Sequence, residues 1–256
     1  RLGWQYASTD WRDLVESPLI DVIDINTHND SHAEIAIAAA KAGKHVLCEK
    51  PLALDVKQAE AMLAAVTKAK VVHMVCHNYR RVPAIAHAKK MIADGALGQI
   101  YHYYARYAQD WLVDPETPMQ WKLEKALSGS GAHGDIGVHL IDLARYLVGE
   151  LKEVCGMMHT FVKERPLPGA LAATPAKAAP KVAKGKAGQT APGLPAKPAP
   201  SLGKVTVDDA TAFIGTFENG ALANLEATRY APGRKNQMAI EINGSKGSLC
   251  FDFEEM

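Results

Sequence analysis

The sequence predicts an α/β chain in which a partial parallel sheet is followed by an α+β domain with a largely antiparallel open sheet. Three observations carry this. Short apolar runs alternate with helix-period segments through the first 80 residues. From Gln99 the runs change to two-residue alternation. Between Val207 and Phe253 several strand-like runs are split by turn signals instead of helices.

In order, Ile20 to Ile25 reads as a strand ending at Thr27. Ser31-x-x-Glu34 has the form of a capping box, and Ala33, Ala36, Ile37 and Ala40 make an apolar stripe behind it. Gly43 suits the stop of that helix, and His45 to Cys48 reads as the next strand. Asp55-x-x-Gln58 caps a second helix that turns Ala59, Met62, Leu63 and Val66 to the sheet, before a strand from Val71 to Cys76. Strands joined by helices of this length imply right-handed βαβ units. A helix is expected from Ala84 to Ala93, a half-buried strand from Gln99 to Tyr107, and a helix from Ile136 to Leu147. Glu218-Asn219-Gly220 and Asn243-Gly244 are hairpin signals in the last part. Two domains follow, residues 1–80 and 81–256, with a low-complexity insertion at about 168–202. That insertion holds five lysines and no acidic or aromatic residue, so it cannot build a core.

The chain has 256 residues, 48% hydrophobic, with a net charge of +1. That balance gives no reason to expect nucleic acid or an acidic membrane as partner. No run approaches the ~20 apolar residues that cross a bilayer. Cys48, Cys76, Cys155 and Cys250 lack C-x-x-C spacing, which points to a reducing cytoplasm instead of a disulfide framework. The chain opens on Arg1 without an evident first strand and closes on one without sheet closure, as expected of a piece truncated at both ends.

Three successive strand ends carry polar residues: Thr27 with Asn29 and His32, Glu49 with Lys50, and Asn78 with Arg80. Adjacent strand ends line one crevice in an open α/β sheet, where a nucleotide cofactor or polar substrate lies. Asn29 is also an ordinary capping type. Lys50, before Pro51, has no capping task. Downstream, Gly134-Asp135-Ile136-Gly137-Val138-His139 puts an acid and an imidazole four apart, on one face if helical. Lys50, Asp135 and His139 suffice to move a proton to and from a substrate hydroxyl. Asp135 and His139 could also be a helix-terminal ion pair that matters only to structure, or metal ligands. His28 and His32 have the spacing of a metal pair but no third ligand, so no metal is expected. The glycine-rich turn Ser128-Gly129-Ser130-Gly131-Ala132 is not a phosphate-binding G-x-G-x-x-G, because it precedes a helix but follows no buried strand, so no nucleotide fingerprint is present.

These stretches together resemble the glucose–fructose oxidoreductase / inositol dehydrogenase / rhizopine-catabolism (Gfo/Idh/MocA) family. The matching segments are Asp21–Thr27 with Asn29 and His32, Gly43–Pro51, Asn78–Arg81, Gly134–His139 with Asp142, and Asn243–Gly247. The resemblance implies an N-terminal Rossmann domain holding NAD or NADP, and a C-terminal domain whose open sheet makes a homo-oligomer. It implies Lys50, Asp135 and His139 as the catalytic set, acting on a secondary hydroxyl of a sugar, anhydrosugar or cyclitol. Thr27, Asn29, His32, Glu49, Lys50, Asn78 and Arg80 would line the cofactor, and Trp111 and Trp121 could offer apolar faces to a sugar ring or pack at the domain interface. The family's first strand, Gly-rich turn and first helix have no counterpart after Arg1. A glycoside-cleaving relative that uses NAD catalytically and a non-catalytic sugar-binding homologue are the alternatives.

Overall fold

The computed structural model describes residues 3–169 and 201–255; most of the Ala/Pro/Lys-rich insertion, residues 170–200, lies outside them. A short helix, α1 (Trp11–Glu16), is capped by Asp10, whose carboxylate accepts from the Arg12 amide. Its six residues are too few for periodicity to reveal. Strand β1 (Val22–Ile25), helix α2 (Asn29–Lys41), strand β2 (His45–Cys48), helix α3 (Val56–Ala69) and strand β3 (His73–Val75) then alternate. The three strands pair in parallel, in the order β1-β2-β3.

Inward residues of this unit form one apolar core: Ile23 and Ile25 from β1, Val46 and Cys48 from β2, and Ala36, Ala39 and Ala40 from α2. Two expected details differ. Ser31 does not cap α2; its hydroxyl turns back to the His28 carbonyl at 2.8 Å, and the helix starts at Asn29, three residues before the start a Ser31 cap would set. Leu63 is 57% exposed, while Met62 and Val66 face the sheet. Asp55 does cap α3, accepting from the Gln58 amide at 2.8 Å, and the Gln58 side chain accepts from Leu54 N.

A 3₁₀ turn (Asn78–Arg81) leads into α4 (Pro83–Ala93), whose first residue is the proline that helix starts favour. Next come β4 (Ile100–Ala108), a 3₁₀ turn (Trp121–Leu123), α5 (Lys125–Ser128), a π turn (His133–Gly137) and α6 (Val138–Leu147). Strands β5 (Leu151–His159), β6 (Glu164–Pro166), β7 (Leu202–Lys204), β8 (Ala210–Phe217), β9 (Leu222–Thr228), β10 (Gln237–Gly244) and β11 (Ser248–Asp252) complete the described chain.

Six of these strands form one sheet in the order β11-β10-β4-β9-β8-β5. All its pairings are antiparallel except β4 with β9. One face carries Tyr103, Leu225, Ile240 and Ile242 and packs on α4 and α6 through Ile85, Leu140, Leu143 and Leu147. Each such leucine is worth roughly 1.5–3 kcal/mol when removed from water. The other face is open: Tyr104, Ile214 and Leu222 are exposed there, beside Met157 of the edge strand β5. Strands β6 and β7 pair antiparallel as a separate two-stranded sheet.

No helix among the described residues is long and apolar enough to cross a membrane. The four cysteines are unpaired.

Candidate active site

The carboxyl ends of β1, β2 and β3 deliver Thr27, Glu49, Lys50 and Asn78 to one side of the small sheet. The six-stranded sheet approaches that side with the π turn and α6. Lys50 reaches across: its ammonium donates to the Asp135 carbonyl at 2.6 Å and lies 3.4 Å from Asp135 Oδ1. Asn29 makes a second bridge between the halves, donating from Nδ2 to the buried Ser128 carbonyl at 2.9 Å.

Two compartments meet at this crossing. One, of about 180 Å³, is lined by Thr27, Asn29, Pro51, Trp121 and Ser130. The other, of about 440 Å³, is lined by Asn78, Tyr79, Tyr107, Gln109, Trp111 and His139. Glu49, Lys50, Lys122 and Asp135 belong to both. A ligand in one compartment would therefore touch the same lysines and carboxylate as a ligand in the other.

Asp135 is held among cations. Lys122 donates to its Oδ1 at 3.0 Å, and Arg229 Nη1 stands 3.8 Å from Oδ2. Burial by itself would raise the Asp135 carboxyl, but the charges of Lys122, Lys50 and Arg229 outweigh it and hold the group below the usual carboxylate range. His139 is 6% exposed and packs edge-on to Tyr79, with ring centroids 4.5 Å apart. Burial first, then the charges of Lys50 and His77, pull it down to about 3, so its imidazole is neutral at ordinary pH.

The larger compartment has a fixed polar wall. Tyr79 and Tyr107 share a hydroxyl–hydroxyl bond of 2.7 Å, and Tyr107 donates to Asn236 Oδ1 at 2.8 Å. Gln109 Nε2 donates to the same oxygen at 2.8 Å, and Trp111 Nε1 donates to Gln109 Oε1 at 2.9 Å. This leaves Gln109 one N–H and one lone pair to offer a ligand.

Lys50, Asp135 and His139 thus come together, as do Thr27, Asn29, Glu49 and Asn78. His32 and Arg80 do not reach the cavity surface. His32 is fully buried, its ring nitrogens against the carbonyls of Pro51 at 3.1 Å and Thr27 at 3.2 Å, so it shapes the strand-end loops from behind. Arg80 turns to Asp142 on α6. His28, four residues from His32, stacks on Trp121 with ring centroids 4.4 Å apart, so these two imidazoles serve separate tasks. Trp111 lines the larger cavity, whereas Trp121 serves the smaller one and the junction between the halves. Lys122, Arg229, Tyr107 and Gln109 complete the site beyond the sequence expectation.

The lining can be matched to a dinucleotide. A hydroxyl (Thr27), a carboxylate (Glu49) and an amide (Asn78) on three adjacent strand ends, beside an open cavity, fit the ribose and carboxamide of a nicotinamide half.

Comparison with known proteins gives the same picture. Residues 1–77 match the profile described as oxidoreductase family, NAD-binding Rossmann fold, and residues 85–250 match the GFO/IDH/MocA C-terminal domain. The chain is 45% identical over 254 residues to a levoglucosan dehydrogenase of Pseudarthrobacter phenanthrenivorans, covering 99% of this chain and 61% of that protein. A levoglucosan dehydrogenase structure in complex with NADH and levoglucosan superposes with a TM-score of 0.85 at 44% identity, over 98% of this chain and 59% of that one. An oxidoreductase domain protein from Kribbella flavida gives a TM-score of 0.84 at 52% identity, over 99% and 61%. The chain therefore spans about three fifths of the length of these relatives.

Proposed function

The chain belongs to the GFO/IDH/MocA oxidoreductase family, and from that membership we propose that it oxidises a secondary hydroxyl of a sugar-like polyol with a nicotinamide cofactor. An anhydrosugar is the first substrate class to consider, because levoglucosan dehydrogenase is the relative at 45% identity. NAD is the cofactor to try before NADP, because the similar levoglucosan dehydrogenase structure holds NADH. The observation that carries the reading is a buried neutral imidazole, His139, facing the same cavity as the ammonium of Lys50.

A nicotinamide held at these strand ends would supply the acceptor for the hydride that leaves the carbinol carbon. His139 takes the hydroxyl proton on a ring nitrogen, which its neutral state leaves able to accept. Lys50 has three N–H bonds and directs two at Asp135, so the third is available to the substrate oxygen, where it stabilises developing negative charge. Asp135 anchors that lysine. Thr27, Asn29, Glu49 and Asn78 would hold the cofactor's nicotinamide half, and Trp111 and Gln109 the sugar ring.

Residues 1–80 form the cofactor unit in this reading, and 81–256 the substrate and assembly unit. The open face of the large sheet, with Ile214 60% and Met157 81% exposed, suits a second copy of the chain. Unpaired cysteines suit a reducing compartment.

The test is to follow the absorbance of reduced nicotinamide with NAD or NADP against anhydrosugars, aldoses and cyclitols. A rise that requires both cofactor and sugar is expected. Cofactor binding without turnover on any of the panel would overturn the dehydrogenase reading.

A further inference from the structure

Arg229 lies just past the end of β9 and has no exposed surface. It lines neither compartment. Its Nη2 donates to the Asp208 carbonyl at 2.9 Å, while its Nε and Nη1 are buried without a hydrogen-bond partner. Leaving two guanidinium nitrogens so placed is costly unless the charge itself is used. The nearest carboxylate oxygen it faces is Oδ2 of Asp135, 3.8 Å from Nη1, and its guanidinium lies over the Trp111 ring at 5.4 Å.

The segment carrying Asp135 is fastened to the same anchor. Asp208 accepts from Gly131 N at 2.7 Å and His133 N at 2.8 Å through its carboxylate, and from Ala132 N at 3.0 Å through its carbonyl. Gly131 has to be glycine for this approach: a Cβ there would stand 1.7 Å from the Asp208 oxygen and 2.8 Å from Arg229 Nη2. One loop thus fixes both the guanidinium and the turn.

Resting on the reading of Lys50, Asp135 and His139 as the reacting set, we propose that Arg229 is a positioning residue that pins the Asp135 carboxylate from behind. Both lysines engage Oδ1, at 3.0 and 3.4 Å. A carboxylate free to rotate would present Oδ2 to them as well and draw the Lys50 ammonium down, away from the cavity. Arg229 occupies the Oδ2 side, so the carboxylate keeps one orientation and Lys50 keeps one N–H for the ligand. The charged and titratable groups around Asp135 are Lys50, Lys122, Arg229, His139 on α6 and Tyr107 on β4.

The test is a carboxyl carbon NMR titration of the cofactor-free protein, with the Asp135 signal assigned by its loss in Asp135→Asn. In Arg229→Gln the Asp135 midpoint is expected to rise by about 1 pH unit or more, since a cation at this range typically shifts a carboxylate by 1–3. Arg229→Lys, which keeps a cation on a shorter arm, is expected to recover part of that shift. A folded Arg229→Gln whose midpoint stays within about 0.3 of wild type overturns the proposal. If Arg229→Gln does not fold, Arg229→Lys decides: a raised midpoint supports the pinning and an unmoved one overturns it. No substrate or cofactor enters the titration, so failure of the dehydrogenase reading and failure of this one are separable.

Discussion

Arg80 closes on Asp142 through two nitrogens, Nε to Oδ2 at 2.8 Å and Nη2 to Oδ1 at 2.5 Å, which ties the turn after β3 to helix α6. Asp142 is only 8% exposed, and His77 stands 3.8 Å from its Oδ2. The helix that carries His139 is thereby held to the strand end that carries Asn78.

Removing the arginine leaves a buried carboxylate short of its main partner. Arg80→Met is expected to lower stability by about 2 kcal/mol, read as a shift in the urea midpoint. Because Arg80 does not line the cavity, the KM for cofactor should rise less than it does in Asn78→Ala. The reverse ranking would show that Arg80 touches the ligand.

Lys50→Ala and His139→Ala each remove a group assigned to the hydroxyl being oxidised. General acid–base catalysis is typically worth about 10²–10⁴ in rate, and losses of that size in kcat are expected with sugar and cofactor saturating. Turnover within about threefold of wild type would refute the assignment.

His139 also couples stability to pH. The unfolded chain takes up this proton near pH 6.5, whereas the folded chain does not until about 3. Between those values protons favour the unfolded state, so the contribution of His139 is complete above pH 6.5 and is lost as the pH falls toward 3. The slope from one such group is up to about 1.4 kcal/mol per pH unit. His77, lowered chiefly by its burial, adds a slope of the same sign. Urea melts from pH 7 down to 4 should show a shallower decline in His139→Gln than in wild type; equal slopes would mean that the imidazole is not buried as described.

The glycines make a steric test. Gly131→Ala forces a Cβ into the Asp208 carbonyl and is expected to cost more than about 3 kcal/mol or to prevent folding. Gly247→Ala, with no atom within 4 Å of the added carbon, should change stability by less than about 0.5 kcal/mol. Thermal melts of the two variants side by side decide this.

The open sheet face gives a test of assembly. Ile214→Lys places a charge among exposed apolar residues and should shift the light-scattering mass to that of a smaller species. A wild-type protein that is already monomeric at micromolar concentration would exclude the second copy as occupant.

The parallel sheet, its helices and the set Lys50, Asp135 and His139 were legible because each lies within a short, patterned stretch. Strand ends are marked by the change from apolar to polar residues, and neighbouring ends in a parallel sheet share a side. His32 and Arg80 show that a polar residue near a strand end need not line the crevice: His32 faces inward, behind the strand-end loops, and Arg80 turns aside to Asp142. The Tyr107–Asn236–Gln109 network was not legible: its partners are 129 and 127 residues apart and meet through the pairing of β4 with β10. Arg229 did leave a trace. Ala223, Leu225 and Ala227 are the buried alternate residues of β9, and continuing that register carries a charged side chain inward.

Lys50 follows a strand of the small sheet, while Asp135, Lys122 and Arg229 come from turns of the second half of the chain, so no half of the chain owns the centre they form. Exchanging halves between relatives at the turn near Val82 would therefore transplant a seam rather than a cassette. A chimera keeps its chemistry where the incoming half supplies a cation matching Lys122 and an amide acceptor matching the Ser128 carbonyl that meets Asn29. If Trp111 and Gln109, which line the larger compartment, hold the sugar as proposed, substrate preference would travel with the second half and cofactor preference would stay with the first.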